Sequence, residues 1–198
     1  MEDRRIVKTK ANLKQTLCNM LARMPFDRIR VTDLCKEANT SRITFYTYYD
    51  DKYELLDAVF EDMFQEMKSA FLELQLKENP ANDLRLTCRH LVMTLVRQHR
   101  EYPWFFRRLN VQDNMDLSLS YYSYMLNKIE EFEIEYHIDG RHAYDTRQLS
   151  AFLTLGFWGY YTASMKEKKP EDQIAEGALE LVDELVSSAV ITDSGTKS

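Results

Sequence analysis

Apolar residues return every three or four positions through most of this chain, and nowhere does a sustained alternation of β-branched residues appear. Leu13, Leu17, Met20, Leu21 and Met24 form the first such stripe and predict a helix over residues 7–24. Thr32 is the expected N-cap of a short second helix carrying Leu34, Cys35 and Ala38. Asn39-Thr40 reads as a tight turn, because asparagine is the non-glycine residue that best tolerates a left-handed backbone. Ser41 is placed to cap a third helix ending at Tyr49. Asp50 and Asp51 open a long fourth helix with the stripe Leu56, Phe60, Met63, Met67, Phe71 and Leu74, where acidic side chains suit the positive helix end.

Beyond Pro80 the pattern continues with a fifth helix (Leu84, Leu91, Leu95) and a short aromatic piece, YPWFFRRL. A seventh helix over 113–136 is expected to turn Met115, Leu119, Tyr122, Leu126, Ile129, Phe132 and Tyr136 to one side. Residues 138–142 read as a loop. The eighth helix, 145–167, is apolar nearly all round and is expected to be buried on more than one face. The ninth, 170–190, carries Ile174, Ala178, Leu181, Leu185 and Ala189. Pro25, Pro80, Pro103 and Pro170 all fall between these segments, as residues that cannot continue a helix should. The chain is predicted to be all-α, with about nine helices and a disordered tail over 192–198.

Composition removes several function classes. The first 139 residues hold no glycine, so neither a phosphate-binding P-loop nor a dinucleotide fingerprint can form there. Cys18, Cys35 and Cys88 lie far apart without a Cys-x-x-Cys pair, which argues for small buried apolar residues and against a zinc ribbon or a disulfide framework. HIDGRH, residues 137–142, matches no metal-ligand spacing, and no nucleophile elbow or paired-carboxylate setting is visible. No cofactor, metal or catalytic activity is therefore expected. The longest uncharged stretch, 148–165, is too short and polar to span a bilayer. MEDRRIVKTK lacks the apolar core of a signal peptide, so the expected location is cytoplasmic.

Charge is unevenly distributed. Residues 1–53 hold 11 Lys and Arg against 7 Asp and Glu, a net of +4, whereas the remainder carries −10. A basic front on an acidic body is the asymmetry of a chain whose first part meets a polyanion. That part contains two short helices joined by a three-residue turn, the size of a helix-turn-helix. In its second helix, SRITFYTYY, Phe45 and Tyr49 are four apart and can anchor one face. Arg42, Thr44, Tyr46 and Tyr48 then fall mostly on others. Arginine can pair with guanine and a threonine methyl can touch thymine, while tyrosine hydroxyls and Lys52 suit phosphate oxygens. The bland alternative is a helical hairpin whose tyrosines only pack.

Thr32, Leu34, Ala38, Ser41, Tyr46, Tyr49, Lys52, Leu55 and Leu56 stand at the spacing of the TetR family of bacterial transcriptional regulators, which this segment resembles over roughly residues 8–62. Asn39-Thr40 replaces the family's usual Gly-Val, Ile43 stands where a small residue is common, and Tyr48 where histidine is frequent. The resemblance implies a three-helix DNA-binding domain, 1–52, followed by an effector-binding and dimerisation domain, 53–191. It implies double-stranded DNA as partner, with Thr32, Ser41, Tyr46, Tyr48 and Lys52 on the DNA side and Arg42 and Thr44 near base edges.

It also implies a homodimer built through the last two helices, with Phe152, Leu155, Gly156, Gly159, Ala163, Leu181 and Leu185 as interface residues and the glycines allowing close approach. A pocket for an apolar or aromatic small molecule is expected from Met63, Met67, Trp104, Phe105, Tyr121, Tyr122, Met125 and Phe152. The same aromatic and methionine stripes also suit an ordinary core. The leading expectation is a repressor released from a palindromic operator by its effector. The alternatives are a helix-turn-helix regulator controlled by a protein partner, possibly an activator, and an all-α enzyme with a fortuitous motif.

Overall fold

The computed structural model describes residues 4–109, 114–135 and 146–187. The expected loop at 138–142, with His137 and His142, and the tail lie outside them. The helices are α1 (Arg4–Leu21), α2 (Val31–Glu37), α3 (Arg42–Tyr48), α4 (Lys52–Glu78), α5 (Leu84–Glu101), α6 (Pro103–Phe106), α7 (Met115–Glu135), α8 (Thr146–Lys166) and α9 (Glu171–Ser187). A single 3-10 turn, Phe26–Arg28, separates α1 from α2, and no strand occurs among the described residues. The architecture is all-α. No described helix is long and apolar enough to cross a membrane.

Packing divides the chain into two compact units. The first comprises residues 1–64 and 102–125, the second residues 65–101 and 126–198. The domain boundary expected after Lys52 thus falls inside the first unit, at the start of α4.

In the first unit, Leu13, Leu17 and Leu21 of α1 meet Phe26, Ile29, Leu34, Phe45, Leu55 and Leu56 in a core closed to solvent. A second cluster joins Phe60 edge-on to Phe105 and Tyr121, with ring centroids 5.8 and 5.4 Å apart. Edge-to-face pairs of this kind add to the burial of large rings. The Arg108 guanidinium donates to the Ala22 carbonyl at 3.0 Å, tying α6 to the end of α1.

The second unit is built on α5, α8 and α9. Arg89 pairs with Asp183, and Arg100 with Asp172 at 2.7 Å, both joining α5 to α9. The Tyr160 hydroxyl lies so near Gly177 that a Cβ there has no room. Close approach of α8 and α9 within the chain therefore occurs at Gly177. Gly156 and Gly159 have nothing within 4 Å of where a Cβ would stand.

Three expectations need correction. Thr32 is the second residue of α2, whose N-cap is Arg30, and no side chain caps that helix. On α7 the buried line is Leu117, Tyr121, Met125 and Ile129, while Met115 and Leu119 are exposed. The two stripes differ by roughly a quarter turn of a helix that is apolar on several sides, so periodicity alone does not choose between them. Finally, α8 is not covered all round: Phe152 is 62% exposed, Leu155 39%, and Gly156, Gly159 and Ala163 also face outward.

Candidate nucleic-acid interface

The helix-turn-helix is held by local chemistry at nearly every joint. The side-chain amide of Asn12 on α1 donates to the Ala38 carbonyl at 2.7 Å, fixing the end of α2. Asn39 takes the left-handed conformation, φ 48°, that reverses the chain. The Thr40 amide then closes back on the Cys35 carbonyl at 2.9 Å. Ser41 Oγ accepts the Thr44 amide at 3.0 Å and caps α3 as its sequence position predicts.

On α3, Phe45 is completely buried, with Tyr46 edge-on to it at 5.3 Å and Tyr49 tilted at 5.9 Å. Successive residues turn by about 100° around a helix, so positions two before and two after a buried anchor point nearly opposite to it. Those positions are Ile43 and Thr47. Together with Arg42 and Tyr46 they line a shallow open surface on the outside of α3. Ile43 is 83% exposed and Tyr46 48%. The Arg42 guanidinium stands 5.9 Å from the Tyr46 ring centre, within the range of a cation–π contact.

The other expected DNA-facing residues divide into two groups. Thr32 is exposed, and Tyr48 is half-buried with the Lys10 ammonium 5.8 Å from its ring centre. Ser41 and Thr44 share a hydroxyl–hydroxyl bond of 2.8 Å at the helix cap, and Thr44 is half-buried. Thr44 thus takes part in the cap, while Ile43 and Thr47 lie on the open face. The Thr47 hydroxyl donates to the Ile43 carbonyl at 2.8 Å.

Lys52 departs furthest from expectation. Its ammonium donates to the carbonyls of Phe26 (2.8 Å), Ile29 (3.1 Å) and Asp27 (3.3 Å), and lies 4.5 Å from the centre of the Phe26 ring. A lysine has three protons to give, and all three go to the 3-10 turn and its end. Partial burial lowers its pKa, opposed by Asp27, Asp116 and Asp51. Lys52 therefore fastens the start of α4 to the turn between α1 and α2. Asp51 completes the junction by accepting the Tyr53 and Glu54 amides at 2.7 and 2.9 Å.

The expected pocket residues are distributed over both units. Met63, Phe105, Tyr121 and Met125 are buried in the aromatic core of the first unit, with Trp104 and Tyr122 half-buried beside them. Met67 is buried in the second unit. Phe152 is corrected: it lies open on α8 and lines an apolar groove with Val92, Gly156, Tyr160, Leu181 and Leu185. Leu155, Gly159 and Ala163 are exposed on the same side of α8 as Phe152, by their helical spacing.

Sequence reasoning passed over Ile43 and Thr47 because one is apolar and the other modest. The available signal was their angular position opposite Phe45.

No family model matches the chain. A curated relative, an uncharacterized HTH-type transcriptional regulator YxbF from Bacillus subtilis (strain 168), is 27% identical over 94 residues, 46% of this chain. The chain spans about a quarter of that relative's length, the match covering 24% of it. Among solved structures, a putative TetR-family transcriptional regulator from Syntrophomonas wolfei has a TM-score of 0.70 at 13% identity, covering 92% of this chain and 96% of its own. A TetR family transcription regulator from Marinobacter aquaeolei VT8 has a TM-score of 0.60 at 20% identity, covering 97% and 100%. The fatty acid degradation regulator FadR from Bacillus halodurans has a TM-score of 0.59 at 16% identity, covering 92% and 96%. The fold of this chain is that of TetR-family regulators.

Proposed function

We propose that this chain is a sequence-specific DNA-binding transcriptional regulator of the TetR type and no enzyme, working in the cytoplasm as a homodimer on a palindromic operator. The observation that carries the reading is the outer face of α3. Arg42, Ile43, Tyr46 and Thr47 stand clear on a helix whose inner face is locked by Phe45 and whose start is capped by Ser41. A short rigid helix with exposed arginine and aromatic side chains, in a segment of net positive charge, suits the major groove. In this reading residues 1–52 meet DNA, with Thr32, Tyr46 and Tyr48 at phosphates and Arg42 at a base edge, and residues 53–191 bind the effector and the second subunit.

One recognition helix alone buries little surface on DNA, and two-fold dimers read two half-sites instead. The exposed apolar run Phe152, Leu155, Gly159, Ala163 and Leu181 suits such an interface. The effector in this reading is an apolar or aromatic small molecule, its binding biases α4, and the outcome is release of a repressor. A ligand moves such an equilibrium only through its differential affinity for the two states, commonly about 1–3 kcal/mol.

Selection of bound duplexes from a random pool tests the reading. The expected result is an enriched palindrome, with a species of twice the chain mass in sedimentation. Failure to retain any duplex at low salt overturns it.

A further inference from the structure

An isoleucine that is 83% exposed on the first turn of a seven-residue helix needs a reason. Burying such a side chain is worth about 1.5–3 kcal/mol, and β-branched residues are poor helix formers, so neither stability nor propensity favours it there. The surroundings make it more specific. Thr44 shares a hydroxyl bond with Ser41 and Thr47 donates its own proton to the Ile43 carbonyl, which leaves Thr47 an acceptor oxygen and a methyl group to offer beside Ile43. The outer face of α3 therefore presents a small apolar spot around Ile43 and Thr47, with the Arg42 guanidinium and the Tyr46 ring beside it.

Base-pair edges in the major groove carry one apolar group, the C5-methyl of thymine. Resting on the DNA-binding reading above, we infer that Ile43 contacts the C5-methyl of a thymine in each operator half-site and sets the preference for thymine at that position. The arginine and the net charge of +4 over residues 1–53 select a polyanion as occupant over an apolar protein groove. Ile43 supplies what the charges cannot, an apolar contact that favours the base bearing a methyl.

The test removes that methyl alone. Once an operator has been selected, each thymine in one half-site is replaced singly by deoxyuridine, and binding is measured for the wild-type chain and for Ile43→Ala. Melting of both proteins verifies that alanine, a better helix former, leaves the fold intact. At one position the wild type is expected to lose about fivefold in affinity, the worth of a buried methyl, and I43A to lose nothing. An equal loss in both proteins, or no loss at any thymine in the wild type, overturns this inference and leaves the DNA-binding reading standing. Absence of duplex binding by the wild type at low salt overturns both.

Discussion

The two units spend their polar side chains in different places. In the first, Asn12, Ser41 and Lys52 reach from helix surfaces to backbone groups and lock the turn and both ends of the helical hairpin. In the second, polar groups go inward: of the ten buried polar residues among those described, seven lie there, including Gln98, His99, Thr154 and Ser164. Its outward side is apolar along α8, where Phe152, Leu155, Gly156, Gly159 and Ala163 are exposed, and mostly acidic along α9. The difference teaches that the turn and caps of the first unit are fixed by side-chain bonds to backbone groups. The second holds ionisable groups whose charging would cost burial.

His99 offers the largest test of that contrast. Its Nδ1 donates to the Leu95 carbonyl at 2.8 Å, and the rings of Phe157 and Tyr161 stand 5.0 and 4.3 Å away. Burial keeps the imidazole neutral and lowers its pKa from 6.5 to about 4. The unfolded chain takes up this proton near pH 6.5 and the folded chain only near pH 4. Stability is therefore full above 6.5, falls as pH drops through that window, and levels off below 4. The expected loss is roughly 3 kcal/mol. His90, lowered in the same direction by burial, adds to it. Denaturant melts from pH 7 to 4 should show a steeper decline for the wild type than for His99→Gln. Parallel curves would mean the interior is not the pH-sensitive element.

Next in size is Lys52→Met, which keeps the length of the stem and removes the ammonium. Three carbonyls lose their donor, and the chain is expected to lose roughly 2 kcal/mol of stability, read from a shift in denaturation midpoint. The salt slope of DNA binding should stay where it was, since the Lys52 ammonium is committed to the turn. A slope lowered by about one unit, with stability unchanged, would restore the phosphate role.

The smallest effect is expected of Ser41→Ala. Loss of an N-cap costs about 1 kcal/mol and is felt at α3 alone. Amide exchange should quicken at Thr44 and its neighbours and stay unchanged in α5 and α9. Uniform acceleration would show that the cap supports more than its own helix.

What could be read from the sequence was the local chemistry. The Ser41 cap, the Asn39 turn and the inward pair Phe45 and Tyr49 each depend on residues within a few positions, and the structure places all of them as expected. Lys52 could not be read, because its partners lie 23 to 26 residues back along the chain. The wrong stripe on α7 has another cause: with Leu117 beside Leu119 and Tyr121 beside Tyr122, only the neighbours in space select the buried side. The open face of α8 is legible only as a composition, since an all-round apolar helix looks the same whether its last face meets its own chain or another.

Helix α4 runs 27 residues without a glycine or proline, so it has no natural bending point. At 1.5 Å per residue it is a rod of about 40 Å. A stiff rod is a lever, and swinging it by only about 5° at one end sweeps the other through roughly 3.5 Å, the rise of one base step along a DNA strand. A rod with no soft point turns as a whole, so a slight rotation of it is a large travel at its tip.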